Sequence, residues 1–429
     1  MSKEFTRRAV IQASLVGFLS NLGLESIFGA TSTVTGKISQ VSNSSITVTA
    51  TANSAVRVYL EYGFAKGKYT SKTAIETLSA STSKSISVRD LPANKVIYFR
   101  VRYALLNRTI FLALSALSAK TKEIGTNNIF AVQADPHMDE NSSADVYNGT
   151  LSQIVAASPA FLMDLGDIFM VDKLADKSEK NIRARFELMK GFYSKLNGVP
   201  LKICLGNHDG ELGYSKFNTK NYRKEYFPEQ TGELAYYSFA GPDQLHVVLD
   251  PFTYTVKNPT TAGWEWTLGK IQYDWLVDTL KNSTATHKFI YIHHLLVGDA
   301  QSRGGSEIAK YNEWGGRNKD GSEGFEQNRP GWGKPIHQLL IDHKVGFVFK
   351  GHDHLYVKQE LDGIIYQTVP QPSHPGEKID VNQYGYLSGK GVGGSGFIKV
   401  TTSNTEAKVD FIKFDGTVGD SYIRIAQNA

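Results

Sequence analysis

Five short apolar runs in the later two-thirds of the chain end in residues that bind cations or move protons. NIFAVQA runs into Asp135, Pro136 and His137, and FLMDL into Gly166 and Asp167. LKICL ends in Gly206, Asn207, His208 and Asp209, FIYI in His293 and His294, and GFVFK in Gly351, His352, Asp353 and His354. Any one of these is an ordinary structural feature, since Gly-Asn is a common turn and a lone strand-end histidine is usually hydrogen-bonded. Together they supply three carboxylate or amide oxygens and four imidazoles, with His208 beside them. Gathered in one pocket without a cation, such groups would be costly, because buried polar and charged groups need partners.

What must position them is a sheet. The runs read as buried strands, and in open α/β sheets ligand sites collect in the crevice beyond the carboxyl ends of the strands. Between them lie helical stretches. DKSEKNIRARFELMKGFYSKL puts Ile182, Phe186, Met189, Tyr193 and Leu196 on one face, and Asp176 and Glu179 have capping-box spacing at its start. TLGKIQYDWLVDTLK and KPIHQLLIDHK read as two more helices. Strands alternating with helices over residues 126–429 predict an α/β layered domain. Successive strand residues point to opposite faces, so at most one of His293 and His294 faces the crevice.

The preceding region is different in kind. Between Thr31 and Gly125, short alternating runs such as SSITVTA, AVRVYLEYG and KVIYFRVRYAL are separated by Gly, Asn, Ser and Pro turns, which predicts an all-β sandwich. LPANKVIYFRVRYAL, with alternating Tyr98, Arg100 and Arg102, resembles a fibronectin type III-like module over 31–125, and EIGTNN (123–128) reads as the linker. Residues 1–30 carry Arg7 and Arg8 before an apolar stretch and small residues near Ala30, the layout of a twin-arginine export signal. The mature protein is therefore expected in the periplasm or outside the cell, with the twin-arginine machinery as a partner and no membrane insertion after signal removal.

Composition sets limits. The 429 residues are 41% apolar and 21% charged, with a formal charge of +5 and a single cysteine, Cys204, inside an apolar run. Those values fit a soluble globular protein of more than one domain without a disulfide framework. No basic stripe with interleaved aromatics stands out, so long nucleic acid is not an expected partner.

The ordered set Asp135-x-His137, Gly166-Asp167, Gly206-Asn207-His208-Asp209, His293 and Gly351-His352-x-His354 closely resembles the calcineurin-like metallophosphoesterases over residues 127–415. The resemblance implies two sheets flanked by helices, layered α/β/β/α. It implies one metal held by Asp135, His137 and His354, a second held by Asn207, His293 and His352, Asp167 bridging both, and His208 beside the reacting phosphate. The sandwich in front also resembles the purple acid phosphatase arrangement. That subfamily has a tyrosine ligand three residues after the bridging aspartate where this chain has Met170, a poor ligand for ferric iron.

The implied reaction is hydrolysis of a small phosphate ester. Anionic oxygens repel nucleophiles, and two divalent or trivalent ions neutralise that charge while lowering the pKa of a bound water from 15.7 towards ~7. Oxygen and imidazole donors suit Fe, Mn or Zn. His208 is then placed to stabilise phosphoryl oxygens or protonate the leaving group. A phosphodiesterase or nuclease acting through the same residues, and a non-catalytic exported binding protein, are the other two readings. The Gly-rich stretch 298–334 lacks periodicity and reads as a functional loop, in which Arg303, Arg317 and Arg329 could clamp phosphate and Trp314 or Trp332 could stack on an organic group. His374 reads as a turn residue.

Overall fold

Alternation decides the N-terminal region. Val34–Val41, Ile46–Ala52 and Thr82–Val88 form one antiparallel sheet, and Val56–Gly63 pairs with Val96–Leu105 in a second. Ile46, Val48 and Ala50 of the first sheet and Val58, Leu60, Phe99 and Val101 of the second share one buried core. On the outer face of the second sheet Arg102 Nη1 bonds Glu61 at 3.1 Å, so the charged half of the alternation stays with water. This computed structural model describes residues 34–426 apart from 42–45, 89–90, 93, 122–127, 139–140, 210–224, 228–233, 257–262, 298–302 and 377–383. The signal-like segment 1–30 and nearly all of the linker 123–128 lie outside the described residues.

From Ile129 onward the central strands are mostly apolar and are buried at nearly every position, as in Ile129–Gln133, His287–Ile292 and Phe347–Lys350, because both of their faces are covered. One six-stranded sheet runs in the order Leu201–Ile203, Leu162–Asp164, Ile129–Gln133, Gly396–Thr402, Glu406–Lys413, Val418–Ile425, its first three strands parallel. A seven-stranded sheet holds Gln244–Val248, His287–Ile292, Phe347–Lys350 and Ile364–Thr368 as parallel neighbours, with antiparallel strands at both margins. Phe130, Val132 and Met163 meet Phe289, Tyr291 and Phe349 between the sheets, and Cys204 is buried among them. Burial pushes the Cys204 thiol well above its ordinary range, which makes it a small apolar filler.

The opposite faces of the same strands carry the helices. Ala144–Ala157 and Glu179–Tyr193 pack Tyr147, Leu151, Ile154, Phe186 and Met189 against Ala131, Leu201 and Ile203. Lys270–Lys281 and Ile336–Asp342 pack Tyr273, Leu276, Leu280 and Leu340 against Val247, Ile290, Ile292 and Val348. The result is the α/β/β/α sandwich behind an N-terminal β domain. One local detail departs from the sequence reading: the helix begins at Glu179 with Ser178 as N-cap, not Asp176. Asp176 instead accepts the Ser178 amide at 2.9 Å, and Glu179 pairs with Arg183 one turn on, so no capping box forms.

Candidate metal centre

The strand phase explains the paired histidines. Phe289 and Tyr291 face the gap between the sheets while Ile290 and Ile292 face the helices, so His293 continues the inner series and His294 the outer. His293 accordingly reaches the crevice, and His294 packs against Trp266 and Phe252, 4.8 and 5.2 Å between ring centroids. Burial pushes the His294 imidazole down to about 3, so it is neutral.

At the carboxyl ends of the strands, two sets of side chains converge. Asp135, His137 and His354 bring their donor atoms within 4.8 Å of one another, and so do Asp167, His293 and His352. Asp135 Oδ1 stands 3.6 Å from both His137 Nε2 and His354 Nε2. Asp167 Oδ2 lies 3.6 Å from His137 Nε2 and 3.2 Å from His293 Nε2, which puts it between the two sets. Asn207 Oδ1 is 3.0 Å from His293 Nε2, so the seventh residue joins the second set. With ligand bonds of about 2.0–2.2 Å, donors around one ion sit roughly 3.0–3.6 Å apart, the separation seen here.

The frame turns each donor inward. Asp135 spends Oδ2 on the His352 amide at 2.8 Å, and Asp167 spends Oδ1 on the His208 amide at 2.8 Å. His293 Nδ1 donates to the Leu165 carbonyl at 2.8 Å, which leaves Nε2 facing the crevice as the atom a cation would take once its proton is lost. What remains is unanswered: Asp135 Oδ1, both ring nitrogens of His137 and Asn207 Nδ2 are buried without a hydrogen-bond partner. Buried polar atoms are seldom left so, and a cation pair is the partner this donor set fits.

The backbone carries the same mark. Asp135, His137, Asp167, His352 and His354 all have φ between 41° and 72°, a left-handed conformation that costs side-chain-bearing residues about 1–3 kcal/mol each. Gly166 and Gly206 make the approach possible, since a Cβ on Gly166 would strike the Gly206 amide and one on Gly206 would strike Asp167.

Charge inside the crevice is strongly coupled. Burial opposes ionisation of Asp167, but His293 and His208 hold its carboxyl well below the usual carboxylate range. Burial likewise disfavours a charged His293, yet Asp167 and Asp135 raise it to about 9. Burial lowers His354 to about 4 and drives His352 well below its ordinary value, so both are neutral donors. His208 is only partly buried, its ring 5.6 Å from that of His137, at the open side.

Three buried acids were missed by sequence reasoning as organisers. Asp209 accepts the amides of Gly206, Asp167 and Ile168 at 2.7, 3.1 and 2.9 Å and so ties two strand-end loops together. Asp353 accepts from Lys350 Nζ at 2.7 Å, the Tyr386 hydroxyl at 2.5 Å and the Gly304 amide at 3.0 Å. Asp164 accepts from Tyr193 and Gln133 below the crevice, and burial raises its carboxyl to about 6. Asp209 and Asp353 lie within the Gly-Asn-His-Asp and Gly-His-Asp-His motifs, which was the available signal. Nothing local marks Lys350 or Tyr386.

The arginines divide. Arg303 reaches the site: Nη1 donates to the His352 carbonyl at 2.6 Å, and its guanidinium lies 4.6 Å from the Tyr384 ring centroid. Arg329 does not, because it is buried, bonds Glu313 and donates to the carbonyls of Trp264 and Trp266. Arg317 is exposed and pairs with Glu323 on the surface. Trp314 is fully buried with its indole N–H on Tyr366, and Trp332 packs on Tyr273, so neither offers a face to a substrate. The described part of 298–334 is thus folded, with short helices at Asn312–Gly315 and Phe325–Asn328.

An α/β/β/α sandwich with paired carboxylate-imidazole groups at its strand ends is a two-metal scaffold. Residues 129–356 match the calcineurin-like phosphoesterase family, and the chain belongs to it; the protein is a metal-dependent phosphoesterase. Among solved structures, a purple acid phosphatase from yellow lupin (Lupinus luteus) seeds is 16% identical, with 90% of this chain and 73% of that one covered and a TM-score of 0.48. PhoD is 14% identical over 91% of this chain and 88% of that one, TM-score 0.49. An anchor protein of the inner membrane complex of Plasmodium is 15% identical over 70% of this chain and 89% of that one, TM-score 0.48. No curated protein sequence matches the chain. Among the described residues, no helix is long and apolar enough to cross a membrane.

Proposed function

We propose that the chain is an exported hydrolase of small phosphate esters. In this reading Asp135, His137 and His354 hold one cation, Asn207, His293 and His352 hold a second, and Asp167 bridges them. When bound, such a pair lowers the pKa of water and neutralises charge on phosphoryl oxygens. The observation that carries the reading is the convergence of buried, unpartnered donors on one space.

The remaining groups act on the ester itself. His208, partly open to solvent and pinned through its backbone amide to Asp167, can donate to a phosphoryl oxygen or give a proton to the departing alkoxide. Arg303, fixed through Nη1 on the His352 carbonyl and 3.4 Å from Asp353 Oδ1, would offer its other N–H groups to an anionic oxygen of the ester. Small esters are favoured over long nucleic acid because the chain carries only +5 overall and no basic stripe. Export rests on Arg7 and Arg8 and the apolar stretch after them. The metals are Fe, Mn or Zn, and with Met170 in place of a tyrosine the loaded protein has no purple iron-tyrosinate absorption.

A panel of nitrophenyl monoesters and diesters, assayed with added Mn, Zn or Fe, tests the reading. Monoester turnover with at least one metal is the expected result, and His208→Ala lowers kcat by about 10²–10⁴-fold with the metal content unchanged. Preference for the diester moves the assignment to a phosphodiesterase. No turnover with any metal favours a binding protein.

A further inference from the structure

Next to His354 the surface opens into a cavity of about 150 Å³ whose lining does not include His137. Its lining includes His354, Gln371, His374, Tyr384, Val392 and Ser395. Only His354 belongs to the proposed metal ligands, so the cavity is a separate compartment that shares one wall with them. We propose that it is the leaving-group subsite, shaped for the alcohol half of a compact, hydroxyl-bearing phosphate monoester such as a polyol or single-sugar phosphate. The proposal rests on the phosphoesterase reading above and adds the substrate class to it.

Size is the first argument. A cavity of roughly 150 Å³ matches one small ring or a short polyol and is smaller than the ~300–1,000 Å³ of sites for larger ligands, so compact alcohols fill it best. Polarity is the second. His374 Nδ1 accepts the Gly376 amide at 2.9 Å, which fixes the neutral tautomer and leaves the proton on Nε2 as a donor. Gln371 adds a carboxamide and Tyr384 a phenol, each able both to donate and to accept. Hydroxyl groups match such a lining, since each both gives and takes a hydrogen bond.

Charge is the third argument. Among the described residues, the one acid at the cavity is Asp353, already committed to Lys350, Tyr386 and the Gly304 amide. Arg303 is not part of the described lining: its guanidinium lies over the Tyr384 ring, 4.6 Å from the centroid, with Nη1 on the His352 carbonyl. The described lining is therefore polar and without an uncommitted charge, beside a site that takes the anion, which suits an uncharged alcohol. His374 and Tyr384 become specificity-determining residues and take no part in the chemical step.

The test uses the metal-loaded full chain and compares kcat/KM for glycerol 3-phosphate and glucose 6-phosphate with that for methyl phosphate, which has nothing to place in the cavity. The larger esters are expected to win by roughly tenfold or more, and His374→Ala and, independently, Tyr384→Ala to bring that ratio towards one. His374 is exposed, so its replacement leaves the fold intact. A wild-type ratio near one overturns the proposal, as does a ratio that both variants leave unchanged. Equal losses on all three esters also overturn it, because the side chains then act on the metal site and not on the alcohol. Failure of the wild type to release phosphate from any ester is the different result that removes the phosphoesterase reading itself.

Discussion

The strand-end crevice and the segment from Arg303 to Asp342 both bury charge, and they do so in opposite ways. In the segment, Arg329 meets Glu313 and two backbone carbonyls, while Glu313 also accepts the Leu268 amide at 2.7 Å. Every buried charge has a local answer. In the crevice, Asp135 Oδ1 and His137 have none, and five of the seven converging residues are held in left-handed conformations. The contrast separates two uses of buried polarity. Where it is satisfied it holds loops to the core, and where a rigid frame keeps it unsatisfied it marks a place built for something else.

The sharpest way to break the contrast is to change the residue between the two donor sets. Asp167→Asn keeps the shape and removes the charge, and activity is expected to fall on the order of 10⁴-fold, with less than full metal content by elemental analysis. Near-normal turnover would show that the carboxylate does not bridge. The matching change in the segment is Arg329→Met, which leaves Glu313 buried and alone. It is expected to cost about 3–5 kcal/mol in denaturant unfolding, and the double change Arg329→Met with Glu313→Leu to recover much of it. If Arg329→Met instead abolished activity in a stable protein, the segment would belong to the site.

The smallest expected effect comes from filling the crevice. Adding Zn or Mn to chelator-treated protein at a hundred times its Kd should stabilise the fold by about 2.7 kcal/mol. The pH dependence follows from His293, which burial disfavours as a cation but which Asp167 and Asp135 raise to about 9. At neutral pH it carries a proton that must leave when Nε2 takes a metal, so uptake releases protons and weakens as pH falls below about 9. The metal-free protein runs the other way: the raised pKa contributes stability that is full below the ordinary histidine range and is lost as pH rises through about 9. Calorimetric titration in buffers of different protonation enthalpy reads the proton directly, and no release would contradict this account.

Motif order and strand alternation made much of the crevice legible in advance. Asp135, His137, Asp167, Asn207, His293, His352 and His354 could be singled out because each sits where an apolar run ends and the ordered set resembles the phosphoesterase family; strand phase allowed only one of His293 and His294 at the crevice, and the family pattern chose His293. The same local rules failed for Arg329, Arg317 and Trp314. An arginine in a Gly-rich stretch looks identical in sequence whether it faces substrate or a buried glutamate, because its partner lies 16 residues away across a fold.

Taken alone, the chain's sequence determined the β sandwich followed by α/β layers and the gathering of acid, amide and imidazole groups at five strand ends, because those depend on residue type and on periods of two and 3.6, while the choice of seven of them as ligands came from the family resemblance. Tertiary structure decided the rest. It closed two sheets over one another so that both contribute strand ends to a common crevice, and it committed Asp209 and Asp353 to backbone amides. It also tied Arg303 to the His352 carbonyl and Arg329 to the core, and opened a polar cavity beside His354. Such outcomes turn on which distant groups arrive within hydrogen-bonding reach, and no local pattern encodes a distance across the fold.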